Sequence, residues 1–280
     1  NSDNIIDKSE LDGLVQYTVD GSCCWVYIDE KTKSVCFIDP LPELTERLTT
    51  LLTCRNLNLV AVIDTHGHAD HKSCREALSN NLLCQQASDS LGWPLKSEQV
   101  TIAGKSYEYI TLGGKWLVRV TTPGHTNDSI SLLLCDAINT QQSILNVHYA
   151  FCGDLILMGS LGRTNFSTSS SATMYSSLQH LTSLISKDSL LCPSHDYDNE
   201  FTTTVNTEML RNSLLKQVIN NEISQDEFAL KKLDLDAHIC DQAGTNIICG
   251  AFVNQCKKSP VIEYNSSELV QMLNVKKNIQ

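Results

Sequence analysis

The chain has no apolar run near the roughly 20 residues that a membrane-spanning helix needs, so no helical span is expected within it. No secretory leader is visible at its start. Glycine and proline are scarce, 13 and 6 in 280 residues, and charged residues make up only 19%, which excludes wholesale disorder. Basic residues are few: 21 Lys and Arg stand against 32 Asp and Glu, for a formal net charge of -11. Such a chain attracts few phosphates, which argues against nucleic acid as substrate. The 12 cysteines contain no C-x-x-C pair. Many lie in apolar runs, such as Cys36 between Val35 and Phe37, and read as small buried hydrophobes of a reducing compartment. The adjacent Cys23 and Cys24 are the exception that merits a thiol assay.

What is present is a core and an unusual clustering of histidine. Hydrophobic residues make up 41% of the chain, enough for one large domain or a domain with an appendage. Strands are expected at 15–28 and 33–38, around a polar turn at 29–32. A helix follows over 42–52, and 57–63 reads as a strand buried on both faces. Further strands are expected at 100–102, 107–112, 115–121, 130–135, 144–148, 150–152 and 190–192. Helices are expected at 72–80, 170–186 and 205–218, from Ser224 to about Leu233 behind a capping box, and from Ser266. Two sheets sandwiched between helices, an α/β fold of αββα type, fit this order.

His66, His68, Asp70 and His71 follow the buried strand 57–63 within six positions. His125, Asp154 and His195 each sit just past another expected strand. Four strand ends can meet on one edge of a sheet sandwich. Imidazoles and carboxylates together suit zinc, iron or manganese, and no cysteine takes a ligand position. His148, His180 and His238 lie outside these motifs and read as ordinary histidines.

The run His66-x-His68-x-Asp70-His71, then Thr122-Pro123-Gly124-His125-Thr126, Gly153-Asp154 and His195, resembles the metallo-β-lactamase superfamily. The resemblance implies the αββα sandwich, here with a C-terminal helical extension. In dinuclear members the positions matching His66, His68 and His125 hold one metal. Those matching Asp70, His71 and His195 hold the second, and Asp154 bridges. Gly162-Arg163-Thr164-Asn165-Phe166, His195-Asp196-Tyr197, Thr203-Thr204-Val205 with Glu208 and Asn212, and Cys249-Gly250 further resemble the persulfide dioxygenases. That likeness implies a single Fe(II) on the positions matching His66, His125 and Asp154. His68, Asp70, His71 and His195 then support the centre, with His195, Asp70 and His71 as the catalytic candidates. Arg163 is the candidate for a substrate carboxylate and Tyr197 for a further substrate contact. The substrates implied are glutathione persulfide, or a related small persulfide, and dioxygen.

Several positions depart from that pattern. Asn165 replaces an aspartate, Gly67 a cysteine, Asn199 a glycine, and Asn127-Asp128-Ser129 a glycine-cysteine pair. Ser213-Leu214 replaces Pro-Arg. The alternative is a glyoxalase-II-like hydrolase of glutathione thioesters that uses two Zn. A domain over 1–250 is expected, with the tail 251–280 docked on it or leading to a further domain. That tail faintly resembles the opening of a rhodanese domain, so a rhodanese-type sulfurtransferase partner and a homodimer both stay open. The expected compartment is the cytoplasm, or the mitochondrial matrix in a eukaryote.

Overall fold

The computed structural model describes residues 13–68, 72–81, 87–137, 145–237 and 262–265. The first sheet begins with a hairpin of β1 (Leu14–Val19) and β2 (Ser22–Asp29). Asp20 and Gly21 turn it with φ of 51° and 79°. Two positive φ values in a two-residue loop match the right-handed twist of the paired strands. The apolar stretch 15–28 therefore folds as two strands, and the Asp-Gly pair was the signal for the turn.

β3 (Ser34–Ile38) pairs antiparallel with β2 and parallel with β4 (Asn58–Ile63). A parallel pair needs a crossover, supplied by α1 (Thr45–Arg55). Leu44, Leu48 and Leu52 recur every four positions and are buried against the sheet. The helix stops at Asn56, which adopts the left-handed conformation with φ 50°. α2 (Arg75–Asn81) follows, and β14 (Ile262–Asn265) pairs along β1 to give the order β14-β1-β2-β3-β4.

The second sheet has the order β13-β12-β9-β8-β7-β6-β5. Its strands are β5 (Glu98–Ile102), β6 (Lys105–Leu112), β7 (Lys115–Thr121), β8 (Ile130–Asp136), β9 (Val147–Gly153), β12 (Leu190–Pro193) and β13 (Thr203–Thr204). A small hairpin of β10 (Ile156–Leu157) and β11 (Ser160–Leu161) stands apart. The strand candidates at 144–148 and 150–152 merge in the single strand β9, which begins only at Val147.

The sheets are packed face to face through Trp25, Tyr27, Ile63, Leu132 and Phe151. The other face of the first sheet packs on α1 and α2, with Val26, Phe37 and Leu78 in that core. The other face of the second sheet packs on α3 (Ser171–Leu184), α4 (Val205–Arg211), α5 (Ser213–Ile219) and α6 (Gln225–Ala237). The architecture is an αββα sandwich with helices added at its C-terminal end.

The helical stretch 205–218 is divided at Asn212, which is extended and caps α5 by accepting from Leu215 N–H at 3.0 Å. The capping box forms as read: Ser224 N–H donates to Glu227 Oε2 at 3.0 Å, and Glu227 N–H to Ser224 Oγ at 3.3 Å. No helix among the described residues is long and apolar enough to cross a membrane. The helix expected from Ser266 and the rhodanese-like reading of the tail lie outside the described residues.

Candidate metal centre

The ends of β3, β4, β7, β9 and β12 share one edge of the sandwich. β4 lies parallel to β3, which sets Thr65 and His66 beside Asp39. β9 lies parallel to β12, which sets Asp154 beside His195. The β7–β8 loop carries His125. Three backbone bonds tie the sheets at this edge: Ile130 N–H to Thr65 O, Cys23 N–H to Ser194 O and Asp196 N–H to Gly21 O, each at 2.8 Å.

His66, His125 and Asp154 converge, with one potential ligand atom from each lying within 4.8 Å of the others. His125 Nε2 is 3.4 Å and His195 Nε2 3.6 Å from Asp154 Oδ2. Protonation is set from behind. His125 Nδ1 is 2.8 Å from the carbonyl oxygen of Arg163. A carbonyl only accepts, so Nδ1 carries the proton and Nε2 keeps its lone pair for a metal.

His66 is braced differently. Its Nδ1 is 2.9 Å from Thr65 Oγ1, which donates its own proton to Asp39 Oδ2 at 2.9 Å. The Thr65 oxygen must then accept from Nδ1–H, which again leaves Nε2 bare. Burial, the largest influence, pushes the His66 pKa well below its ordinary value, so the ring is neutral. Two imidazoles and one carboxylate fit a divalent transition metal.

Asp39 holds this side together. It is 1% exposed and has φ 53°, a conformation rare outside glycine. Its carboxylate accepts from Thr65 N–H at 2.6 Å, Thr65 Oγ1, Ser194 Oγ at 2.8 Å and His68 Nε2 at 3.0 Å. Burial alone would raise its pKa. The facing His68, His66 and the Thr65 amide outweigh that and hold it below the usual carboxylate range. Gly153, at φ 54°, lies against the same relay: a Cβ there would meet Thr65 Oγ1 at 2.8 Å.

No protein-family model matches the chain. The mitochondrial persulfide dioxygenase ETHE1 of Homo sapiens is 29% identical over 199 residues, covering 69% of this chain and 72% of that protein. A hydroxyacylglutathione hydrolase of Prochlorococcus marinus is 27% identical over 230 residues, covering 79% of this chain and 83% of that protein. Among solved structures, ETHE1 from Myxococcus xanthus superposes with a TM-score of 0.60 at 26% identity. That match covers 78% of this chain and 87% of the other. A metallo-β-lactamase from Staphylococcus aureus superposes with a TM-score of 0.59 at 20% identity, over 85% of this chain and 74% of the other.

The chain has the metallo-β-lactamase fold. Within that fold its sequence resembles the persulfide dioxygenases, and its relatives point to a metal-dependent enzyme.

On this metallo-β-lactamase scaffold, the remaining site candidates fall in different places. His68 is turned toward Asp39 and lies tilted beside His66, with ring centroids 4.1 Å apart and planes 57° apart. His68, Asp39 and Asp64 form a second cluster of metal-binding types. Its carboxylates are engaged by protein donors: Asp64 accepts from Ser73 Oγ at 2.7 Å and pairs with Arg75 Nε at 3.1 Å. Asp70 and His71 lie outside the described residues.

Tyr197 stacks on His195 with ring planes 7° apart, and its Oη is 3.2 Å from His195 Nδ1. Arg163 bonds Asn165 Oδ1 at 3.1 Å and lies 5.3 Å over the Phe166 ring. Phe166 in turn stands edge-on to His125, with ring centroids 5.3 Å apart. Arg163 forms no ion pair with any described residue.

Sequence reasoning missed Asp39, Thr65 and Ser194 as supports. Asp39 ends a strand parallel to the one before His66, so its place on this edge was the available signal. Cys23 and Cys24 are buried, and burial raises both thiols well above their ordinary value. They are poor nucleophiles. His148 pairs with Asp136 and His180 bonds Tyr107, consistent with ordinary roles.

Proposed function

We propose that this protein is a mononuclear iron dioxygenase that oxidises glutathione persulfide, or a related small persulfide, to sulfite. The supporting observation is the split between the histidines. His66, His125 and Asp154 converge as three potential ligands, whereas His68 is engaged by Asp39 at 3.0 Å. A dinuclear hydrolase would need His68 in the first metal's set. Two histidines and one carboxylate are the ligand set of many non-haem iron oxygenases and leave open positions for substrates.

Iron held there would supply the coupling of electrons between dioxygen and the persulfide sulfur. The overall change balances as persulfide plus dioxygen plus water giving thiol, sulfite and two protons. The chain's own groups bind and orient. The Arg163 carbonyl and Thr65 hydroxyl keep both imidazoles in the metal-binding tautomer. The Arg163 guanidinium, without a carboxylate partner among the described residues, can donate a bidentate pair of hydrogen bonds to a glutathione carboxylate. His195, near Asp154 on one ring nitrogen and Tyr197 on the other, can hold a proton at the edge of the centre.

An oxygen electrode with glutathione persulfide, paired with metal analysis, tests this reading. Oxygen uptake with sulfite formation by the iron-loaded protein is expected. Two zinc ions per chain, no oxygen uptake and hydrolysis of a glutathione thioester would replace it with the glyoxalase-II-like hydrolase.

A further inference from the structure

α6 exposes three leucines and buries two charged residues. Leu230, Leu233 and Leu235 are 70%, 50% and 54% exposed. Phe228, Lys232 and Asp236, spaced by four, form the inward stripe, and the two charged members are 3% and 1% exposed. Burying an ion pair in place of leucine carries a large desolvation cost, so its partners decide what it does.

Those partners lie in the loop beside the metal centre. Asp236 Oδ2 accepts from Thr164 N–H at 2.7 Å and from Thr164 Oγ1 at 2.8 Å, while Lys232 holds Oδ1. Thr164 Oγ1 also meets Ser171 Oγ at 2.5 Å, at the start of α3. Asn165 Nδ2 lies 3.5 Å from the Asp236 carbonyl. The residue before Thr164 is Arg163, whose carbonyl receives the His125 Nδ1–H. From α6 to the metal edge the contacts are therefore continuous: Lys232, Asp236, Thr164, the Arg163 carbonyl, His125.

We propose that Asp236, locked by Lys232, is a positioning residue of the metal centre. It fixes the Arg163–Thr164 peptide so that the carbonyl holds His125 in orientation and tautomer. The proposal rests on His125 being a metal ligand and not on which reaction follows, so it can fail while the dioxygenase reading stands, and the reverse.

The test is Co(II) affinity and the visible d–d absorption of the Co(II)-loaded full chain, neither of which requires turnover. Lys232→Met/Asp236→Ala removes both charges together, so no unpaired buried charge remains. It is expected to weaken Co(II) binding by about tenfold or more and to shift the d–d band, as loss of a residue behind a metal ligand does. Lys232→Met/Asp236→Asn keeps an acceptor oxygen for Thr164 and is expected to recover most of that affinity. Phe228→Ala loosens the same helix without touching Thr164; it should lower the melting temperature and leave Co(II) affinity within about threefold. Should the charge variants not fold, Thr164→Val carries the test, with an expected loss of about threefold or more. A folded Asp236→Ala or Thr164→Val variant with wild-type affinity and spectrum would overturn the proposal. So would a Phe228→Ala variant that loses metal as strongly as the Asp236 variant.

Discussion

The two histidines of the centre are braced by the same device built from different parts. Behind His66, the acceptor is the hydroxyl of the adjacent Thr65, and the carboxylate behind it is Asp39. Behind His125, the acceptor is the Arg163 carbonyl, and the carboxylate that steadies its segment is Asp236. In both, a buried carboxylate acts through an intermediary to fix a ring nitrogen. The first brace is made of strand ends in the first sheet. The second is made of a loop and a helix added to the sandwich. The difference teaches that the His66 half comes with the sheet edge, whereas the His125 half depends on how the C-terminal helices dock.

The largest effect should come from the residue that both halves share. Asp154→Ala removes the only carboxylate of the converging triad and is expected to abolish metal binding, a loss of about a thousandfold or more by isothermal titration. Retained stoichiometric binding would break the comparison by showing that the two histidines do not meet on Asp154. Asp39→Ala strikes the first brace alone. It leaves His68, Ser194 and Thr65 without their acceptor, so a stability loss of about 3–5 kcal/mol in urea unfolding is expected, with weakened metal affinity.

Much of this site was legible before any coordinates. The spacing His66-x-His68, with His125, Asp154 and His195 at later strand ends, marked the candidates, and the family resemblance singled out the three residues that converge. The αββα order was suggested by strands in two groups with helices between and after them, and implied more firmly by the family resemblance. Asp39 was not, because a lone Asp-Pro after a strand looks like a strand terminator. Asp236 and Lys232 were hidden more deeply. The leucines of α6 are spread around the helix and mark no single inward face, and only the tertiary contact with Thr164 shows that Lys232 and Asp236 point inward. The division of 205–218 at Asn212 escaped for a related reason: Asn is a modest helix residue that becomes a cap when the chain turns.

Smaller effects sharpen the comparison. Thr65→Val removes the hydroxyl that receives His66 Nδ1–H and is expected to weaken metal binding by about tenfold. Arg163→Ala removes a side chain but leaves the carbonyl that braces His125. Metal affinity should therefore hold within about threefold, while KM for a glutathione substrate rises by about tenfold at similar kcat. Parallel losses of metal in both variants would show that side chain and carbonyl of Arg163 cannot be separated. Removing the metal from the wild type by chelation should lower the melting temperature by about 5–10 °C relative to protein with metal at a hundred times its Kd.

The central claim is one metal on three ligands with His68 standing aside. Anaerobic titration of the metal-free protein with Fe(II), read as bound iron per chain, tests it most directly. The account predicts one ion per chain for the wild type and the same stoichiometry for His68→Ala. Two ions per chain, or loss of the bound ion in His68→Ala, would contradict it.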